Sequence, residues 1–295
     1  MANDKISLNA LIEEAEAAKL SLNAYLLPLS AAGLEITEEE LLAKMAQMLK
    51  VMEEAAAYGL TGVRSHSGLT GGSALKLQNA AAQPGFNKLL GALATDAVTY
   101  ALAVSECNAA MGRIVAAPTA GAAGVLPGVL LALKKHCNLT EEQLARALVV
   151  AGQIGLVIAA RASLAGAVGG CQAECGSAAA MAAGAAVDAL GGTPAQAGTA
   201  VSIVFKNMLG LVCDPVAGLV EVPCIKRNGG AAVQALLAAE MALAGIGSFI
   251  PADEAIDAMK WVGDSMPCAL RETAGGGLAQ TPTALAWAKA WFERE

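Results

Sequence analysis

TEEQLARALVVAGQIGLVIAARASLAGAVGGCQAECGSAAAMAAGAAVDAL, residues 140–190, decides the fold class. It opens on a capping box: the Thr140 hydroxyl accepts from the Gln143 backbone while the Gln143 side chain reaches back to the Thr140 N–H. The rest of the stretch is rich in Ala and Gly, with few large side chains and no alternation of apolar and polar residues. A strand needs that alternation or a β-branched run, so the stretch predicts helices that approach one another closely.

The same signals extend outward. Thr37 and Glu40 form a second capping box, and Leu42, Met45, Met48, Leu49 and Met52 then recur at helical spacing up to a stop at Tyr58-Gly59. Thr193-Pro194 places proline at a first helical position, where its missing N–H is harmless. Pro251-Ala252-Asp253-Glu254 opens another helix running towards Trp261. No repeat and no linker-like segment divides the chain. The expectation is an all-α, single Ala/Gly-rich domain, in which residues 1–60 are amphipathic helices appended to a catalytic body at 61–295.

Composition excludes some classes of function. A net charge of -7, with 19 Lys and Arg among 295 residues, offers no basic patch for nucleic acid. A mean hydropathy of +0.53 raises the question of a membrane span. The longest uncharged run, Ile114 to Leu133, contains Pro118, Gly121, Gly124, Pro127 and Gly128, which would break a lipid-exposed helix. It reads as buried backbone, without a membrane. The N-terminus lacks the apolar core of a signal peptide, so a cytoplasmic, reducing setting is expected, in which the seven cysteines serve as core residues or metal ligands.

Three of those cysteines keep unusual company. Cys171 follows two glycines, Cys213 lies in Gly-Leu-Val-Cys-Asp-Pro, and Cys224 follows Pro223. Each setting suggests a helix end or turn, from which a thiol can face a cavity. Ordinary burial of cysteine in an Ala-rich core is the competing reading. Two Gly-rich stretches, Ser65 to Gly72 and Ala116 to Gly121, are candidate site loops.

The strings SGLTGGSALKL (67–77), AAPTAGAAGVLPG (116–128), GGCQAECGSA (169–178), KNMLGLVCDPVAGLVEVPCIKRN (206–228) and MPCALRETAGGGLAQTPT (266–283) resemble the α subunit of iron–sulfur-dependent L-serine dehydratases. With the connecting helices, the resemblance runs from about residue 50 almost to the end. It implies an all-helical catalytic fold that eliminates water from L-serine, giving pyruvate and ammonia. It also implies a [4Fe–4S] cluster on Cys171, Cys213 and Cys224, leaving one iron open as a Lewis acid. The family's β domain, with its Ser-His-Thr motif, has no room here, so a separate β subunit is implied. Cys107, Cys137 and Cys175 are expected to be non-ligands, as is Cys268, the one candidate for a fourth ligand of a resting cluster.

Dehydration also needs a base for the Cα proton and a seat for carboxylate and amine. His66 is the candidate base, with Lys76 and Lys206 as further catalytic candidates. The backbones of Thr70, Gly71 and Gly72, near Ser67, and of Pro118, Thr119, Ala120 and Gly121 are candidates for a carboxylate cradle, though both could be plain helix connections. Arg227, with Lys76 and Lys206, is a candidate anion contact, and Asn108 and Asn207 are candidates to orient the amine. His136 reads as a solvated loop residue. Related β-eliminations of L-cysteine or L-threonine, or non-catalytic ligand binding by a helical protein, are the alternatives. Pyridoxal phosphate chemistry is disfavoured because its fold needs alternating strands and helices.

Overall fold

The computed structural model describes residues 6–86 and 88–293. In chain order the helices are α1 (Leu8–Ala17), α2 (Leu22–Gly33), α3 (Glu38–Gly59), α4 (Ser73–Ala82), α5 (Gly91–Ala109), α6 (Val125–Cys137), α7 (Glu141–Arg161), the single turn α8 (Gly166–Gly169), α9 (Ser177–Ala189), α10 (Pro194–Met208), α11 (Cys224–Leu243), α12 (Ala252–Ser265) and α13 (Pro282–Phe292). Among the described residues there is no strand; two isolated β-bridges join Arg64 to Gly71 and Cys213 to Arg271. The capping boxes at Thr37 and Thr140 form, and Thr193 makes a third with Gln196.

Helix α9 is the axis of the fold. Every residue from Ser177 to Asp188 is buried, and α6, α7, α10 and α11 surround it. A helix enclosed on all sides has no polar face to present. Its eight alanines and one glycine keep the side chains short enough for four neighbours to approach. Each buried methyl is worth only about 0.8 kcal/mol, so stability here is the sum of many small contacts.

Helix α7 is long and apolar enough to cross a membrane, yet 61% of its most apolar window is buried within the fold, as in a core helix. Ile114 to Leu133 is not one helix: the Ala117–Pro118 peptide is cis, and α6 starts at Val125. Helices α1 to α3 contribute Leu8, Ile12, Leu22, Leu26, Leu49 and Met52 to the same core as α9. Two buried carboxylates join them to the body. Asp253 accepts from the Ser7 hydroxyl and the Leu8 N–H, and Asp188 accepts both nitrogens of Asn23.

Two local expectations change. Gly59 ends α3, but its reason is packing: a Cβ there would stand 1.9 Å from the Ala103 carbonyl oxygen, so glycine lets α3 cross α5 closely. His136 is not in a loop. It lies in the last turn of α6, where its ring bonds Asp96 at 2.6 Å.

Candidate functional site

A π-helical turn, Gln172–Gly176, separates α8 from α9. Such widened turns cost regular hydrogen bonding and recur at functional sites, because they redirect side chains that an α-helix would stack. Cys171 stands at its start. Gln172, completely buried, fixes the turn: its amide donates to Met259 O (2.9 Å) and its carbonyl oxygen accepts from Gly210 N (2.9 Å), while its backbone N–H donates to Leu211 O. The Cys171 turn is thereby tied to the segment that leads into Cys213.

Cys213 is held by its backbone. Its N–H donates to Leu270 O, and its carbonyl accepts from Glu272 N, so the 270–272 segment lies along it. Cys224 opens α11 after a cis Val222–Pro223 peptide. Asn228, also fully buried, donates to both Cys224 O and Gly121 O and accepts from Gly124 N. One amide thus joins the third cysteine to the 118–121 loop. All three thiols are buried.

Their electrostatics are mutual. Burial, and then negative charge on Cys171 and Glu174, push the Cys213 thiol well up and the Cys224 thiol up to about 12. Cys171 goes the other way: a hydrogen bond from Cys175 and the nearby Arg227 guanidinium hold it below the ordinary thiol range. Cys175 is pushed up by the same bond. Among the described residues, no three His, Cys, Asp or Glu side chains converge tightly enough for a single metal ion.

Glu174, on the π-turn, is the acidic group of this site, and the expectations drawn from sequence omit it. A Cβ on Gly166 would stand 2.9 Å from both Cys213 Sγ and a Glu174 carboxylate oxygen, and one on Gly121 would stand 3.3 Å from both Glu174 oxygens. Glycine at these two positions leaves open the space that the thiol, the carboxylate and the 118–121 loop face. Burial raises the Glu174 carboxyl, a hydrogen bond from Thr119 opposes that, and the charge of Glu272 reinforces it. A signal was available: Glu174 is the single charged residue between Arg161 and Asp188.

The 65–72 loop reaches the same region through Glu221, which is buried on the turn before Cys224. Ser67 Oγ donates to Glu221 Oε1 (2.8 Å) and Thr70 Oγ1 to Oε2 (2.7 Å). Next to it, Val220 lies 3.4 Å from where a Gly121 Cβ would be. Asn108 Nδ2 donates to Ala120 O (3.1 Å), on the loop that follows the cis Ala117–Pro118 peptide. Arg227 pairs with Asp214 at 2.9 Å and donates to Val212 O.

Other expected residues make different contacts. Lys76 is exposed on α4, and the exposed Lys206 bonds Ser248. Asn207 bonds Gln234 at the rim of a pocket of about 630 Å³ that Arg227 and Lys226 also line. Among the described residues, no hydrogen bond or ion pair joins Lys76, Lys206 or Asn207 to the cysteines or Glu174. His66 is exposed, with its ring edge-on to Trp291 at 6.2 Å. The Gly71 and Gly72 backbones turn the chain into α4, whose first amides, Ser73 and Ala74, are satisfied by Glu106 rather than left open. Cys137 and Cys268 are exposed.

The model of the family described as "Serine dehydratase alpha chain" matches residues 3–279. The chain is 58% identical over 249 residues to the probable L-serine dehydratase, alpha chain, of Bacillus subtilis, covering 84% of this chain and 82% of that one. It is 44% identical over 249 residues to the L-serine dehydratase, alpha chain, of Peptoniphilus asaccharolyticus, 84% of each. With the L-serine dehydratase of Streptomyces coelicolor it shares 50% identity over 191 residues, which are 64% of this chain and 42% of that longer one.

Proposed function

Because this chain belongs to the serine dehydratase alpha-chain family, we propose that it is the α chain of an L-serine ammonia-lyase, removing water from L-serine to give pyruvate and ammonia. Relatives named as alpha chains support a separate β chain as its partner. The observation that carries the reading is that Cys213 Sγ and Glu174 face one glycine-lined space beside the 118–121 loop, with Cys171 at the start of the π-turn that carries Glu174 and Cys224 tied to that loop through Asn228.

That donor set fits a [4Fe–4S] cluster better than a single ion. A cluster takes thiolates at separate corners and so does not need them to converge on one point, and the three cysteines are buried and free of disulfides. Cys171, Cys213 and Cys224 would hold it. Bound there with one iron lacking a protein ligand, it would supply a Lewis acid for the departing hydroxyl.

The remaining work falls to the chain's own groups. Glu174 is placed to take the Cα proton on a carboxylate oxygen, and burial raises its basicity towards that task. Thr119 stands beside this carboxylate, and Asn108 holds the loop that carries Thr119. Ser67 and Thr70 line the adjoining wall. Arg227 secures the Cys213 loop through Asp214 and Val212 rather than meeting substrate.

The test is anaerobic purification of the chain with its β partner, followed by iron and sulfide analysis and an assay of pyruvate formed from L-serine. Bound iron and sulfide with serine-dependent pyruvate support the reading; protein free of both and inactive after reconstitution defeats it.

A further inference from the structure

The two hydroxyls of the 65–72 loop that meet Glu221 offer acceptors rather than donors. Ser67 Oγ and Thr70 Oγ1 both give their protons to Glu221. A hydroxyl that donates inward presents only lone pairs outward. Three of the loop's amides are committed within it: Gly68 N–H to Ser65 O, Leu69 N–H to Ser67 Oγ, taking one lone pair of that hydroxyl, and Thr70 N–H to Ser65 Oγ. Glu221 itself is 7% exposed, and these two hydroxyls are the side-chain donors it receives among the described residues. A buried carboxylate met only by neutral donors favours a cation close by.

We propose that Glu221, acting through Ser67 and Thr70, makes this loop the seat of the substrate's α-ammonium group and so selects free amino acids over hydroxy acids. The inference rests on the reading of the site as a serine dehydratase. It assigns Glu221 as a positioning residue. Val220 beside Gly121, and Cys224 one helical turn after Glu221, put the seat next to the space that Glu174 faces. Glutamine at 221 would donate one N–H to a hydroxyl oxygen, turning that hydroxyl's proton outward against an ammonium group.

The test uses the anaerobically purified enzyme with its β partner and two inhibitor probes, L-alanine, which has the ammonium group, and 3-hydroxypropanoate, which lacks it. Glu221→Gln should raise the KM for L-serine and weaken L-alanine binding, measured by calorimetry, by roughly tenfold or more, with 3-hydroxypropanoate changed less than about twofold. Equal losses for both probes, or none for either, overturn the proposal. Ser67→Ala and Thr70→Val carry the same discrimination in smaller measure and serve if Glu221→Gln does not fold. If these two variants leave the KM for L-serine untouched, the loop does not meet substrate, and the reading of the site itself fails there. If they raise it while Glu221→Gln does not, the role of Glu221 alone is refuted. Tryptic cleavage after the exposed Arg64 should be unchanged in Glu221→Gln, and accelerated cleavage would mark a structural role instead.

Discussion

The Arg227 guanidinium pairs with the Asp214 carboxylate at 2.9 Å, and the Asp214 side chain is only 3% exposed. The other Asp214 oxygen accepts from Leu278 N at 2.7 Å, so one carboxylate ties α11 to the Cys213 loop and to the glycine-rich 275–277 segment. Removing one partner of such a pair strands a buried charge. Asp214→Ala and Arg227→Ala should each cost about 3 kcal/mol. The double variant should cost clearly less than their sum, measured by denaturant unfolding under anaerobic conditions. Strict additivity would show that the pair does not act as a unit.

Cys171→Ser, Cys213→Ser and Cys224→Ser should each lose most of the bound iron. Cys107→Ser, Cys137→Ser and Cys175→Ala should keep it. Cys175 is the informative control, because its thiol touches Cys171. Full iron in any of the first three variants removes that residue from the ligand set.

Glu174→Gln keeps shape and removes the charge. Loss of a general base typically costs on the order of 10² to 10⁴ in rate, so kcat should fall by that much with iron content unchanged. Burial penalises the charge of Glu174, so the variant should be at least as stable as the parent at neutral pH. A kcat within about threefold of the parent would return His66, exposed against Trp291, to consideration.

Gly59→Ala tests the close crossing of α3 and α5. Its Cβ would overlap the Ala103 carbonyl, and overpacking of this kind costs roughly 1–3 kcal/mol. An unchanged melting temperature would mean the helices separate freely.

Asp96 supplies a pH-dependent contribution away from the site. Burial alone would raise its carboxyl, but hydrogen bonds from Lys135 and His136 outweigh that and hold it below the ordinary carboxylate value. A lowered folded value means the stabilisation is present above the ordinary carboxylate range and is lost as pH falls through the folded value. Asp96→Asn should therefore flatten the decline in stability between about pH 5 and pH 3. An identical decline in parent and variant would assign it to other carboxylates.

The sequence by itself determined the fold class and the helix starts. Capping at Thr37, Thr140 and Thr193 is a matter of residues three apart, and the lack of strand alternation is visible over any short window. The three cysteines stood out through their Gly and Pro neighbours, and the family resemblance named them. Tertiary structure alone decided which polar groups meet. Glu174 and Glu221 were visible only as isolated charges in apolar runs, the latter the single one between Asp214 and Lys226. Their partners lie 55 residues or more away in the chain: Thr119 for one, Ser67 and Thr70 for the other. Lys76, Lys206 and Asn207 looked as suitable as Arg227 from residue type alone, yet Lys206 and Asn207 are bonded to Ser248 and Gln234, and Lys76 is exposed on α4. A local pattern fixes how a segment curls because its causes are a few residues apart. Which charge is buried against which hydroxyl depends on how helices cross, and here that is set by alanines and glycines whose small size is legible but whose packing directions are not.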